Sequence, residues 1–253
     1  MKHCELKRIV DGSKRAYLFV HGIIGTPDHF VDIIDMVPED ATLWNILLDG
    51  HGGKAGDFSR TSRKKWEQQF KAVVDELAAT HDEIYVVAHS MGALLVIGNV
   101  INNPKITKAF FLQPALSPCL KPAIVICAFN MVFGIIRPDD KITLAATRCL
   151  GIQLSRNLFK YVGWIPRFWD LFMMMRKSSP LLKDFKIPCV AFVSKKDEVV
   201  SQVSGKILRR HSNIKVFEME KSGHFYYDPK DIELVRREFA KFIMDEESDV
   251  YAD

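Results

Sequence analysis

Val86-Val87-Ala88-His89-Ser90-Met91-Gly92, followed by Ala93-Leu94-Leu95-Val96-Ile97, is the stretch that decides the fold. A continuous apolar run of strand character enters a small-x-Ser-x-small pentapeptide and leaves as an apolar helix. A turn that tight needs small residues two before and two after the serine, and it lifts the hydroxyl above the C-terminal edge of the strand. The hydroxyl then sits at the N-terminus of the next helix, where developing negative charge is favoured. Read alone, Ser90 is equally well explained as a helix N-cap, because Ser is among the preferred residues there. The usual pentapeptide has Gly at its first position, and Ala88 adds one methyl group to it.

Outward from this stretch, short β-rich runs alternate with helical patterns, which predicts a mostly parallel α/β sheet flanked by helices. The expected strands are Glu5–Val10, Ala16–Val20, Thr42–Leu48, Ile84–Ala88, Ala109–Leu112, Val190–Ser194 and Lys215–Glu218. Several are unbroken apolar runs, as strands covered on both faces require. Lys64–Ala79 places Trp66, Phe70, Val73, Val74 and Leu77 on one helical face. Asp228-Pro229 reads as an N-cap with Pro at the first position of a last helix. From Asp245 the acidic tail is expected to fray. Between about Pro114 and Lys186 no strand pattern occurs, only helical and irregular sequence rich in Met and aromatics. The expected division is a core of residues 1–113 and 187–253 with a helical insertion at 114–186.

A nucleophilic serine needs a base, and the base needs an orienting acid. The expected strand Val190–Ser194 empties into Lys195-Lys196-Asp197-Glu198, and Lys215–Glu218 leads to Ser222-Gly223-His224. Asp197 and His224 therefore fall past strand C-termini, on the same sheet edge as Ser90. In open α/β sheets that edge is where ligands bind. Taken singly, Asp197 reads as a solvated turn charge and His224 as a loop histidine. An acyl-transfer site also needs backbone N–H groups aimed at an oxyanion. Ile23, in the Gly-rich loop His21-Gly22-Ile23-Ile24-Gly25-Thr26-Pro27, and Met91, one past the serine, are the natural donors.

These residues resemble the α/β-hydrolase superfamily, and within it the bacterial carboxylesterase and monoacylglycerol lipase branch. The resemblance is carried by His21-Gly22-x-x-Gly25-Thr26-Pro27, Asp49-Gly50-His51-Gly52-Gly53, Ala88–Gly92, Asp197-x-x-Val200 and Ser222-Gly223-His224-x-x-x-Asp228. It runs from about Ala16 to Ile243 and is weakest across the insertion. Besides Ala88, Ser194 departs from the family, which often has Gly there. The resemblance implies an α/β-hydrolase fold whose insertion caps the acyl pocket. It implies a serine hydrolase of small-molecule acyl esters, with Ser90, Asp197 and His224 as catalytic residues and no cofactor. Alternatives with the same residues are an acyltransferase, a thioester, amide or C–C hydrolase, and a non-catalytic binding module. Short-to-medium acyl esters or monoacylglycerol-like lipids are the expected substrates.

Composition narrows the rest. The 253 residues, 48% hydrophobic and 26% charged, suit one large globular domain. A net charge of +4 with scattered Lys and Arg does not suggest nucleic acid as a partner. Five cysteines without a C-x-x-C pair argue against a disulfide scaffold and fit a reducing, cytoplasmic setting. The N-terminus lacks the apolar core of a signal peptide. Ala123 to Ile136, the most apolar stretch, is 14 residues, short of the about 20 that span a bilayer. No transmembrane segment is expected, although the cap's apolar surface suits transient contact with a membrane. No metal-ligand spacing occurs, and His21 and His51 read as loop braces.

Overall fold

The computed structural model describes residues 3–119 and 121–245. In chain order these form β1 (Leu6–Arg8), β2 (Arg15–Val20), β3 (Thr42–Ile46), α1 (Ala55–Ser59), α2 (Arg63–Thr80), β4 (Glu83–His89), α3 (Met91–Asn99) and β5 (Ile106–Leu112). Then come α4 (Pro122–Phe133), α5 (Lys141–Cys149), α6 (Ile165–Leu181), β6 (Cys189–Ser194), α7 (Val203–Leu208), β7 (Ile214–Met219) and α8 (Pro229–Met244). The strands form one sheet in the order β1-β3-β2-β4-β5-β6-β7. All neighbours run parallel except β1, which is antiparallel to β3. Every expected strand is present, with ends moved by a few residues.

Strand alternation divides the core in two. Ala16, Leu18 and Val20 of β2, Ile84, Val86 and Ala88 of β4, and Ala109 and Phe111 of β5 point to one face. There they meet Trp66, Phe70, Val74 and Leu77 of α2 and the apolar side chains of α3. Tyr17, Phe19, Tyr85, Val87, Phe110 and Leu112 point to the other, against Val235, Phe239 and Phe242 of α8. The central strands are thus buried on both sides, which is why they read as unbroken apolar runs. Ser62 caps α2 by accepting from Lys65 N–H at 3.3 Å, and Asp228 caps α8 by accepting from Lys230 N–H at 3.1 Å.

Between β5 and β6 the chain is helical, carrying α4, α5, the 3-10 turn Leu158–Trp164 and α6. Its C-terminal end is part of the main core: Leu171, Met174, Met175, Leu182 and Phe185 share the buried cluster of α2 and α3. Its start pairs with the loop after β6, through Cys119 N–H to Val199 O (2.7 Å) and Lys121 N–H to Glu198 O (3.1 Å). Of the tail expected to fray, residues 246–253 lie outside the described residues. Asp245 itself is anchored: it takes hydrogen bonds from Tyr85 and Lys108 and pairs with Arg15 at 2.6 Å. Partial burial pushes its carboxyl up, but those three donors outweigh burial and bring it down to about 2.

Candidate active site

The β4–α3 turn sets the geometry. Ser90 has φ 53° and ψ −115°, a backbone region that a side chain occupies only when its surroundings enforce it. Three neighbours enforce it. A methyl on Gly92 would lie 2.2 Å from the Val20 carbonyl oxygen, so only Gly lets α3 start this close to β2. A methyl on Gly22 would lie 2.8 Å from Ser90 Cβ, so the loop after β2 touches the serine directly. Ser90 N–H donates to Leu112 O at 3.0 Å, which ties the turn to the end of β5. At the first position of the pentapeptide, the Ala88 methyl is buried in the main core.

Ser90, Asp197 and His224, which the sequence singles out, are brought together. His224 Nε2 lies 3.1 Å from Ser90 Oγ, and His224 Nδ1 lies 2.8 Å from Asp197 Oδ2. Asp197 uses its other oxygen, Oδ1, to accept from Val199 N–H (2.8 Å) and Val200 N–H (2.7 Å). Those two bonds fix the carboxylate and leave one oxygen free to face the imidazole. An ionised carboxylate only accepts, so Nδ1 carries the proton and Nε2 is left to accept from the Ser90 hydroxyl. All three groups are secluded: Ser90 and Asp197 are 3% exposed and His224 is 2% exposed.

Met91, the first residue of α3, and Ile23, which follows Gly22, both flank Ser90. No backbone carbonyl among the described residues accepts from either amide. The Ile23 loop is held in an unusual shape. Ile24 has φ 50°, uncommon for a β-branched residue. Gly151, past the end of α5, donates to Ile24 O at 2.9 Å, and a methyl on it would meet Gly25 O at 2.0 Å. His21 braces the same loop by donating from Nδ1 to Gly22 O (2.8 Å) and accepting Leu48 N–H at Nε2 (3.0 Å). Burial first, then neighbouring His51, holds its pKa well below the ordinary imidazole value.

Four further buried polar residues support the site, and of these Gln113 and Asp231 carry no motif in the sequence. Glu198, 7% exposed, accepts His224 N–H at its Oε2 (2.9 Å). Ser194 donates to Ser222 O, so the polar residue standing where the family often has Gly joins the Asp197 and His224 loops. Gln113 donates to Gly223 O (2.8 Å) and accepts from the Tyr227 hydroxyl (2.8 Å). Asp231 accepts from Glu220, Lys221 and Ser222 N–H and from Ser222 Oγ. Partial burial pushes Asp231 up, yet those donors hold it below the usual carboxylate value. The one sequence signal was several polar residues crowded beside strand ends. Behind His224 lies a stack of histidines: His89 and His224 have ring centroids 4.8 Å apart, and His29 and His89 3.5 Å. Burial, then His224, lowers the His29 pKa to about 3.

No curated protein sequence matches the chain. Among solved structures, a metagenome-derived lipolytic enzyme of the LipS and LipT pair superposes with a TM-score of 0.75 at 19% identity. That match covers 97% of this chain and 98% of the other. The monoacylglycerol lipase of Paleococcus ferrophilus gives 0.69 at 17% identity, over 97% and 99% of the two chains. The meta-cleavage product hydrolase CumD of Pseudomonas fluorescens gives 0.63 at 13%, over 95% and 93%. Likeness at these identities fixes the fold and leaves open which bond is cleaved. The Alpha/beta hydrolase family pattern, however, matches residues 17–237, from β2 into α8, and this chain therefore belongs to the alpha/beta hydrolase family.

Proposed function

We propose that the chain is a serine hydrolase that cleaves carboxylic esters of apolar acyl groups through an acyl-enzyme. The observation that carries this reading is the unbroken line from Ser90 Oγ through the His224 ring to Asp197 Oδ2, at 3.1 and 2.8 Å. His224 Nε2 takes the Ser90 proton as Oγ attacks the acyl carbonyl. Asp197 holds the ring in the required tautomer and supports the imidazolium that forms. The Ile23 and Met91 amides stabilise the tetrahedral oxyanion. His224 then protonates the departing alkoxide, leaving Ser90 acylated. Water, deprotonated by the same nitrogen, attacks the acyl carbonyl; the bond to Ser90 Oγ then breaks, His224 returns the proton to Oγ, and the carboxylic acid leaves. No step needs a cofactor.

Residues 114–186 act as the cap in this reading, supported by their position between the loops that carry Ile23 and Asp197. The seclusion of Ser90 favours a reaction shielded from bulk water. The apolar side chains of the segment favour short-to-medium acyl groups, up to monoacylglycerol-like lipids. Each methylene buried in the transition state should add about 0.8 kcal/mol, roughly fourfold in kcat/KM, until the pocket is full. We place the protein in a reducing, cytoplasmic setting, supported by five cysteines of which Cys127 and Cys189 are buried as thiols. The test is fluorophosphonate labelling together with p-nitrophenyl esters from acetate upward, run beside thioesters. Labelling lost in Ser90→Ala and an ester series that rises and then stops support the reading. No labelling of the folded protein, or turnover of thioesters alone, overturns it.

A further inference from the structure

Charge is unevenly divided along this chain. Residues 114–186 hold eleven Lys and Arg against four Asp and Glu, a net +7, which leaves −3 on the rest. Among the described residues, Arg167 is the only one of those eleven cations in an ion pair, with Asp170 at 3.3 Å. The remaining ion pairs of the described residues all lie outside the segment. Among the described residues outside the segment, twelve Lys and Arg pair with a carboxylate, against one inside it.

The same segment carries most of the large apolar side chains that face water. On α4, Val125, Ile126, Phe129 and Phe133 are exposed, and only Cys127 is fully buried. On α6, Ile165, Phe168, Trp169 and Phe172 form an outward stripe at helical spacing, while Leu171, Met174 and Met175 face the core. The helix is therefore apolar on both sides; on the outer one Phe168 leans toward Phe58, while Ile165 and Trp169 stay mostly exposed. In the turn between α5 and α6, Arg156-Asn157-Leu158-Phe159-Lys160 is exposed throughout, with Phe159 at 86%. Ile135-Ile136-Arg137 repeats the pairing of apolar tip and cation after α4. A side chain lining a covered acyl channel would be shielded, so these residues serve something outside the molecule. A second copy of the chain is disfavoured, because docking like on like would set +7 against +7. No helix of the described residues is long and apolar enough to cross a membrane, so the contact is one of surface.

We infer that residues 121–177 are a docking face for a bilayer rich in anionic phospholipid, with Phe159 and the outer stripes of α4 and α6 entering the headgroup boundary. Cations flanking apolar tips match a negatively charged leaflet, such as the cytoplasmic one, over its apolar interior. On the proposed hydrolase reading, ester substrates dissolved in that leaflet would meet the protein without crossing water.

The full chain is sedimented with vesicles of phosphatidylcholine alone and of phosphatidylcholine with an equal share of phosphatidylglycerol. Binding to the mixed vesicles, at least tenfold tighter than to phosphatidylcholine and weakening as salt rises, supports the inference. Arg156→Gln with Lys160→Gln should lower that affinity on the order of 25-fold, about fivefold per cation. Phe159→Ser with Trp169→Ser should also weaken it; all four positions are exposed or half-exposed, and circular dichroism checks that the variants remain folded. Ser90→Ala should bind as the wild type does, so failure of docking and failure of the hydrolase reading are separate results. Binding indifferent to lipid charge, or to these substitutions, overturns the inference. So does a dimer in sedimentation velocity that Phe159→Ser dissolves.

Discussion

Acidification from pH 7.5 to 5.0 should cost this protein several kcal/mol of stability, and the histidines buried near the site set the amount. Burial brings the His29 pKa to about 3 and the His51 pKa to about 4. In the unfolded chain each titrates near 6.5. Below 6.5 the unfolded state therefore binds protons that the native state refuses, and stability falls with pH down to the folded values. At pH 5.0 the gap already used is about 1.5 pH units, or about 2 kcal/mol for each of the two at 1.36 kcal/mol per unit. His21 and His89, both lowered chiefly by burial, act in the same direction. A loss of about 4 kcal/mol or more is a large part of a typical total of about 5–15 kcal/mol. Carboxylates held low, such as Asp57, Asp140 and Asp231, lose their contribution only toward 3.8 and below, so they add little to the loss at pH 5.0. The assay is urea unfolding at both pH values, for wild type and for His29→Phe, which keeps a ring against His89. The variant should lose about 2 kcal/mol less on acidification. Equal stability at the two pH values, or the same loss in both proteins, would refute the argument.

Ser90→Ala should reduce ester turnover on the order of 10⁴-fold or more while the thermal midpoint stays close to wild type, read by p-nitrophenyl ester assay and melting. Asp197→Asn should cost on the order of 10⁴-fold in kcat, because the imidazole loses the acceptor that fixes its tautomer. Glu198→Gln should cost far less, since an amide oxygen still accepts His224 N–H; steady-state kinetics of the pair decide, and the reverse ranking means the acid is misassigned. Gly92→Ala forces a methyl to within 2.2 Å of a backbone oxygen and should destabilise by about 3 kcal/mol or more. Gly98→Ala, with nothing within 4 Å on the exposed side of the same helix, should instead stabilise by about 0.5–1 kcal/mol, and chemical denaturation compares the two.

The sheet was legible because the middle of each central strand is buried on both faces and reads as an apolar run, as in Tyr85-Val86-Val87-Ala88. Strand ends were less so: β1 is three residues where six were expected, since Ile9 is exposed and Val10 bonds to the Thr42 side chain rather than extending the ladder. The meeting of Ser90, Asp197 and His224 could be anticipated because all three follow strand C-termini of one parallel sheet. Glu198 could not. Its role depends on which way two adjacent acidic side chains turn out of one loop, and no spacing encodes that. Gln113 hid for a related reason: just past the end of β5 it takes a φ of 43°, and the sequence around it carries no glycine to advertise that backbone.

Ser90 and His224 are separated by 134 positions, and the contact between them exists only after β6 has docked on β5 and β7 on β6. A chain cut between Leu112 and His224 keeps every partner named above for the serine turn but lacks its base. The Ser90–His224–Asp197 line needs pairings that are distant in sequence, and such pairings are slow to form. On the proposed reading, appearance of fluorophosphonate reactivity during refolding would time the docking of β7, making the active-site serine a clock for closure of the sheet's far edge.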